Sequence, residues 1–277
     1  MFKSMLVGLD GSEHSQAALQ FAVEHARRTQ AMVVGLVVID EDSIRANQFV
    51  PLGAAIYQSS RDQSMIDRAR RTVDQTLERF SLQCAEAQVP SKPLEDVGKP
   101  VDRIAEQSQR FDLVVLGQKT YFAFATQDEP CDTLSQVLRR SPRPVVIVPH
   151  GYHRGETIVV AYDGSGQAAR ALQAFQCSGL GTGREIHVVS VGDDHVAAAK
   201  TGNRAVEFLS GHQIPATLHV RPVARTVSET ILKAAEELNA AMLVMGAYGQ
   251  PMFKEMFLGS VTRGMLQSSN LPLFVSH

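Results

Sequence analysis

Near the C-terminal end, Gly246, Gly249, Gly259 and Ser260 have the residue types and spacing of an anion cradle: Gly-x2-Gly-x9-Gly-Ser. Glycine lets backbone N–H groups approach an anion with no Cβ in the way. Gly259-Ser260 also opens a segment with helical patterning, Val261-Thr262-Arg263-Gly264-Met265-Leu266. The free amides and positive dipole end of that helix would face a phosphate, and the Ser260 hydroxyl adds a donor. Asp163, in Tyr162-Asp163-Gly164-Ser165, suits ribose hydroxyls as an acceptor but would repel phosphate. On their own the glycines are equally explained by turn and cap chemistry. Their expected location at the end of a strand is what favours the ligand reading.

The elements that must position these residues occur twice. MLVGLDGS at 5–12 matches IVVAYDGS at 158–165, 153 residues on, and each leads into an Ala-rich helical segment. DLVVLG at 112–117 matches AMLVMG at 241–246, and PRPVVIVP at 142–149 matches NLPLFVSH at 270–277. Three matches in one order imply a duplication. The polar stretch His150–Gly155 marks the boundary, with domains at 1–150 and 155–277. The first half carries extra residues, best placed at 42–64, either as a flap or partner-binding loop or as a tolerated surface insertion. Short all-apolar runs predict strands over 4–9, 32–38, 94–97, 112–117 and 144–149. In the second half they fall at 157–162, 186–191, 216–221, 241–246 and 272–276. Strands buried on both faces, alternating with helical spacing, predict two tandem doubly wound α/β domains with parallel sheets.

The first half departs from the cradle pattern. Gly117 is present, but Thr120 stands where the second Gly belongs, and Tyr121 to Asp132 contains no Gly. Asp128, Glu129 and Asp132 would bring carboxylates close to bound phosphates. This half is expected not to hold a polyphosphate, although Asp10-Gly11-Ser12 persists there.

The Gly246-x2-Gly249-x9-Gly259-Ser260 spacing, the helix and Ser-Asn-Leu-Pro-Leu-Phe-Val strand behind it, and Asp163-Gly164-Ser165 resemble the ATP-binding universal stress proteins. The resemblance spans both halves. It implies two Rossmann-like domains, each a five-stranded parallel sheet of order 3-2-1-4-5 with helices on both faces. It also implies that the last strands pair two domains, within the chain as a pseudo-dimer or between chains as a homodimer. Carried over by motif, Gly246, Gly249, Gly259, Ser260 and Val261 would hold phosphates and Asp163 would sit by the ribose. The backbone near Val191 would meet adenine. The implied ligand is ATP, ADP or AMP, with magnesium or manganese accompanying a triphosphate.

Composition narrows the functional classes. Hydrophobic residues make up 44% and charged residues 20%, with a formal net charge of −2. That balance belongs to a soluble globular protein and argues against a broad nucleic-acid surface. No secretory-signal pattern opens the chain, and no apolar run approaches the ~20 residues of a membrane span. The three cysteines, Cys84, Cys131 and Cys177, are isolated, which suits a reducing cytoplasm. No Gly-x4-Gly-Lys-Ser/Thr loop occurs, and Lys254 and Arg263 are expected to be exposed. These features favour a nucleotide-dependent binding or signalling protein with an unknown protein partner. A slow ATPase or nucleotidyl transferase, and a nucleotide-free interaction module working through the first half, stand as alternatives. Glu129, Cys131, Asp132, His150 and His153 match no zinc spacing. His187 and His219 fall in predicted strands and read as satisfied or surface histidines, Cys84 as core, and Tyr121, Phe122 and Phe124 as loop-packing aromatics.

Overall fold

The structure is a computed structural model, and the residues it describes are 1–46, 55–122, 133–247 and 259–276. They divide into two compact bodies, Lys3–Pro142 and Met1–Phe2 with Arg143–His277.

The first body holds the parallel strands β1 (Ser4–Gly8), β2 (Met32–Ile39), β3 (Ser91–Val97) and β4 (Leu113–Gly117) in the order β3-β2-β1-β4. Helices α1 (Glu13–Thr29), α2 (Glu41–Ala46), α3 (Ala55–Glu86), α4 (Pro100–Ser108) and α5 (Thr133–Arg140) connect and cover them. β1 and β4 are buried almost throughout, which is why they read as continuous apolar runs. β3 differs. It lies at the sheet edge, alternates between exposed and half-buried, and contains Pro93. It begins at Ser91, three residues before the sequence pattern suggests, because an edge strand tolerates proline and needs no apolar run. α1 starts where the Ser12 hydroxyl accepts the Ser15 N–H at 3.1 Å, and it ends on Gln30 in the left-handed region.

In the second body, β6 (Thr157–Ala161), β7 (Glu185–Val191), β8 (Ala216–Arg221), β9 (Ala240–Gly246) and β10 (Leu273–Ser276) run parallel in the order β8-β7-β6-β9-β10. This is the 3-2-1-4-5 order. β5 (Val145–Val148) also belongs to this body and lies antiparallel to β10, with Ile147 opposite Leu273. The helices are α6 (Gly166–Ser178), α7 (His195–Gly211), α8 (Val227–Glu237) and α9 (Ser260–Ser268). α8 opens with a capping pattern, Thr226-x-x-Glu229, in which Thr226 Oγ1 accepts the Glu229 N–H at 3.1 Å.

The excess of the first half lies in its second crossover. α3 has 32 residues where α7, its counterpart, has 17. Of the 42–64 segment, part forms α2 and the start of α3, and 47–54 fall outside the described residues. No described helix is long and apolar enough to cross a membrane.

Candidate functional site at the carboxyl ends of the second parallel sheet

Asp163, Val191, Gly246, Gly259, Ser260 and Val261 all lie at or just beyond the C-terminal ends of β6, β7 and β9 or at the start of α9. In an open parallel sheet the crevice lies at this edge, where the order reverses between β6 and β9. Gly249 and Lys254 lie outside the described residues.

The Asp163 turn is built for helix capping. Asp163 Oδ1 accepts the Ser165 N–H at 2.9 Å, Gly164 takes a φ of +78°, and the Ser165 hydroxyl accepts the Ala168 N–H to start α6. Asp163 is exposed, and among the described residues Ser165 is its hydrogen-bond partner. A cation stands beside the turn. Arg204 on α7 places Nη1 3.9 Å from the position a Gly164 Cβ would take. Arg204 is exposed and makes no ion pair among the described residues. Sequence reasoning missed it because only the packing of α7 brings it to this turn.

Val191 offers its backbone. The Tyr162 N–H donates to the Val189 carbonyl at 3.0 Å, which is the last rung between β6 and β7. The Gly192 N–H donates the other way, to Arg221 on β8. Peptide groups alternate sides along a strand, so the Val191 N–H and C=O face the β6 side, two residues past that rung. A donor and an acceptor side by side there fit the hydrogen-bonding edge of a base.

The two described glycines of the cradle do different things. Gly259 is the N-cap of α9, exposed, and a Cβ built on it would meet nothing within 4 Å among the described residues. Among those residues no side chain caps this helix, which leaves its first amides available to an anion. Ser260 is exposed at the first helical position, Val261 is half-buried beside it, and Arg263 is exposed as expected. Gly246 has a packing reason. A Cβ there would come within 2.5 Å of the Ala168 nitrogen, so the end of β9 lies directly against the first turn of α6. The physical demand for glycine at 246 is thus helix–strand approach.

The first body shows the same corner differently furnished. Gly117 ends β4 against α1, where a Cβ would come within 2.5 Å of the His14 backbone. Asp10 Oδ1 accepts the Ser12 N–H at 3.0 Å, as Asp163 does for Ser165. Its other oxygen is occupied by the chain itself: Oδ2 accepts the Tyr121 N–H at 2.8 Å and the Phe122 N–H at 3.4 Å. Phe122 is 2% exposed, with its ring against Gly8 at the end of β1. It holds a φ of +57°, a conformation that costs a non-glycine residue energy and persists because the surrounding contacts impose it. Thr120 is buried too. Val38, the counterpart of Val191, is fully buried whereas Val191 is half-exposed. Phe122 thus packs as a loop aromatic, and the corner is closed by residues 120–122. Asp128, Glu129, Cys131, Asp132 and Phe124 lie outside the described residues.

Among the described residues, no three His, Cys, Asp or Glu side chains gather to hold a metal. Cys84 is buried, and burial pushes its thiol above the ordinary value against a hydrogen bond from Ser91, as suits a core thiol. Cys177 is exposed.

A model of the universal stress protein family matches residues 1–149 and again 155–277. A curated universal stress protein of Synechocystis is 21% identical over 282 residues, covering 98% of each chain. Among solved structures, a universal stress protein from Archaeoglobus fulgidus superposes with a TM-score of 0.71 at 23% identity, over 99% of this chain and 98% of that one. A structure from Pseudomonas aeruginosa, described as functionally unknown, gives 0.62 at 18% identity over 99% and 92%.

Proposed function

The chain belongs to the universal stress protein family, and from that premise we propose that its C-terminal half binds an adenine nucleotide and acts as a nucleotide-dependent stress-response or signalling protein. The supporting observation is the exposed N-terminus of α9 at Gly259, capped by no side chain among the described residues, at the same sheet edge as Asp163 and the Val191 peptide groups. Phosphates belong on the α9 amides and the Ser260 hydroxyl. The ribose belongs by Asp163, and the Val191 N–H and C=O complement adenine. Gly249 completes the cradle in this reading. Gly246 serves it indirectly by setting β9 against α6.

ATP, ADP and AMP share the adenosine contacts and differ in how many phosphates reach α9. Asp163 is the one carboxylate placed in this reading, which fits magnesium or manganese carried mainly on the phosphates rather than in a protein cage. The ion, when bound, neutralises phosphate charge. The chain's own residues orient the nucleotide, and no general base is placed among them, so binding is the activity and any hydrolysis is slow. The protein operates in the cytoplasm and passes the signal to a protein partner.

Isothermal titration of ATP into the full chain tests the reading. Wild type binds one equivalent, and Gly259→Glu, which puts a carboxylate where the anion sits, lowers the affinity at least ~100-fold, about 2.7 kcal/mol. Circular dichroism stays native, because Gly259 is exposed and a side chain there meets no described residue within 4 Å. Equal affinities of the two proteins refute the site.

A further inference from the structure

The second body's sheet also carries a histidine pair that the proposed nucleotide site does not use. His187 lies on β7 and His219 on β8, where His219 stands opposite Val189. The two histidines are therefore diagonal neighbours on one face of the sheet. His219 Nε2 is 3.1 Å from His187 Nδ1, and the rings meet edge to face with centroids 5.0 Å apart. The second nitrogen of His187, Nε2, is 3.6 Å from Glu185 Oε1, two residues earlier on the same face of β7.

This order has a chemical consequence. A carboxylate beside Nε2 favours the proton there, which leaves the Nδ1 lone pair of His187 turned toward His219. A carboxylate on the far nitrogen of an imidazole ligand commonly orients it on a metal, and Glu185 stands just beyond hydrogen-bond distance of that nitrogen. Two nitrogens each about 2.1 Å from one ion, subtending roughly 90–110°, lie about 2.9–3.4 Å apart. The observed 3.1 Å falls within that range. Arg221, two residues beyond His219 on β8, is paired with Glu237 at 3.4 Å. His187 is buried, while His219 is half-exposed on the edge strand, so the pair is supported from within and reachable from outside.

We propose that His187 and His219 form a two-nitrogen site for a divalent transition metal, copper(II) or zinc(II), with Glu185 as the positioning carboxylate and water completing the coordination. Among the described residues no third ligand joins them, so the site exchanges its ion rather than holding it as a structural clamp. Entry of the ion replaces the hydrogen bond between the rings. His219 moves its proton from Nε2 to Nδ1, and both nitrogens turned toward each other donate their lone pairs. Imidazole nitrogens suit both ions, and copper(II) binds the tighter of the two.

The test is a copper(II) titration of the untagged, chelator-treated full chain, followed by calorimetry and electron paramagnetic resonance. The expected result is one saturable site with two-nitrogen hyperfine structure. His219→Ala and His187→Gln each lose that signature and at least ~10-fold in affinity, and Glu185→Gln weakens binding roughly 10-fold. ATP binding is unchanged in all three variants. Absence of saturable copper binding in the wild type, or the same affinity and spectrum in His219→Ala, overturns the assignment. Because Gly259→Glu leaves copper binding intact, this result stands or falls separately from the nucleotide reading.

Discussion

Asp10 and Asp163 follow equivalent strands and sit in equivalent Asp-Gly-Ser turns whose serines cap equivalent helices, yet their second carboxylate oxygens meet different surroundings. Asp10 Oδ2 receives the amides of Tyr121 and Phe122, and the Phe122 ring fills the corner above β1. Asp163 is exposed, with an arginine beside its turn and a half-exposed Val191 backbone across the crevice. The Asp-Gly-Ser turn is therefore a structural device first, since its hydrogen bonds start a helix in both halves. In the proposed reading, ligand capacity follows from the segment after the fourth strand. Where residues 120–122 fold back, the corner becomes core. At Gly259, α9 begins with no side-chain cap among the described residues, which leaves donors for the proposed ligand.

The comparison breaks most severely at Phe122. Replacing it with alanine removes a fully buried ring and costs about 3–5 kcal/mol. Chemical denaturation should show this loss in the first body, while the ATP stoichiometry of the chain stays at one. A second equivalent of ATP in Phe122→Ala would show instead that the ring alone blocks a competent site.

Alanine at the two strand-end glycines sharpens the likeness of the halves. Gly117→Ala and Gly246→Ala each push a methyl against helix backbone, at a cost of about 1–3 kcal/mol. Gly259→Ala, at an exposed N-cap where no described residue lies within 4 Å of the added methyl, loses only the modest N-cap preference for glycine and costs less than either. Thermal unfolding of the three variants checks this, and equal melting temperatures would remove the packing explanation for Gly246.

A smaller asymmetry is pH-dependent and belongs to the first body. His25 on α1 is buried, its Nδ1 has no hydrogen-bond partner among the described residues, and burial followed by the Arg28 charge lowers its pKa to about 4. The unfolded chain takes up a proton below about pH 6.5, and the folded chain does so only near pH 4. Stability therefore falls as the pH drops through this window, by about 1–2 kcal/mol between pH 7 and pH 5. Denaturation curves at the two pH values should show the difference in wild type and its reduction in His25→Gln. An unchanged pH slope in the variant assigns the effect to other groups.

Much of the architecture was legible because burial on both faces writes itself as apolar runs. Nine strands fall close to where those runs predict, and the exception, β3, is the exposed edge strand with Pro93. The duplication and the parallel sheets follow from the same patterns. The site was legible only as a set of residue types. Gly246 and Gly259 look alike in the sequence, and only the approach of α6 to β9 separates a packing glycine from an open one.

By itself the sequence determined two copies of an α/β plan, a glycine-serine pair at the head of a helix, and a first half that keeps Gly117 but lacks the later glycines. Tertiary structure alone decided that Phe122 closes the first corner, that Arg204 stands beside Gly164, and that His187 and His219 meet across neighbouring strands 32 residues apart. The physical reason is range. Strand and helix signals are carried by near neighbours along the chain, whereas the filling of a crevice depends on residues that meet only when the sheet and its covering helices are assembled.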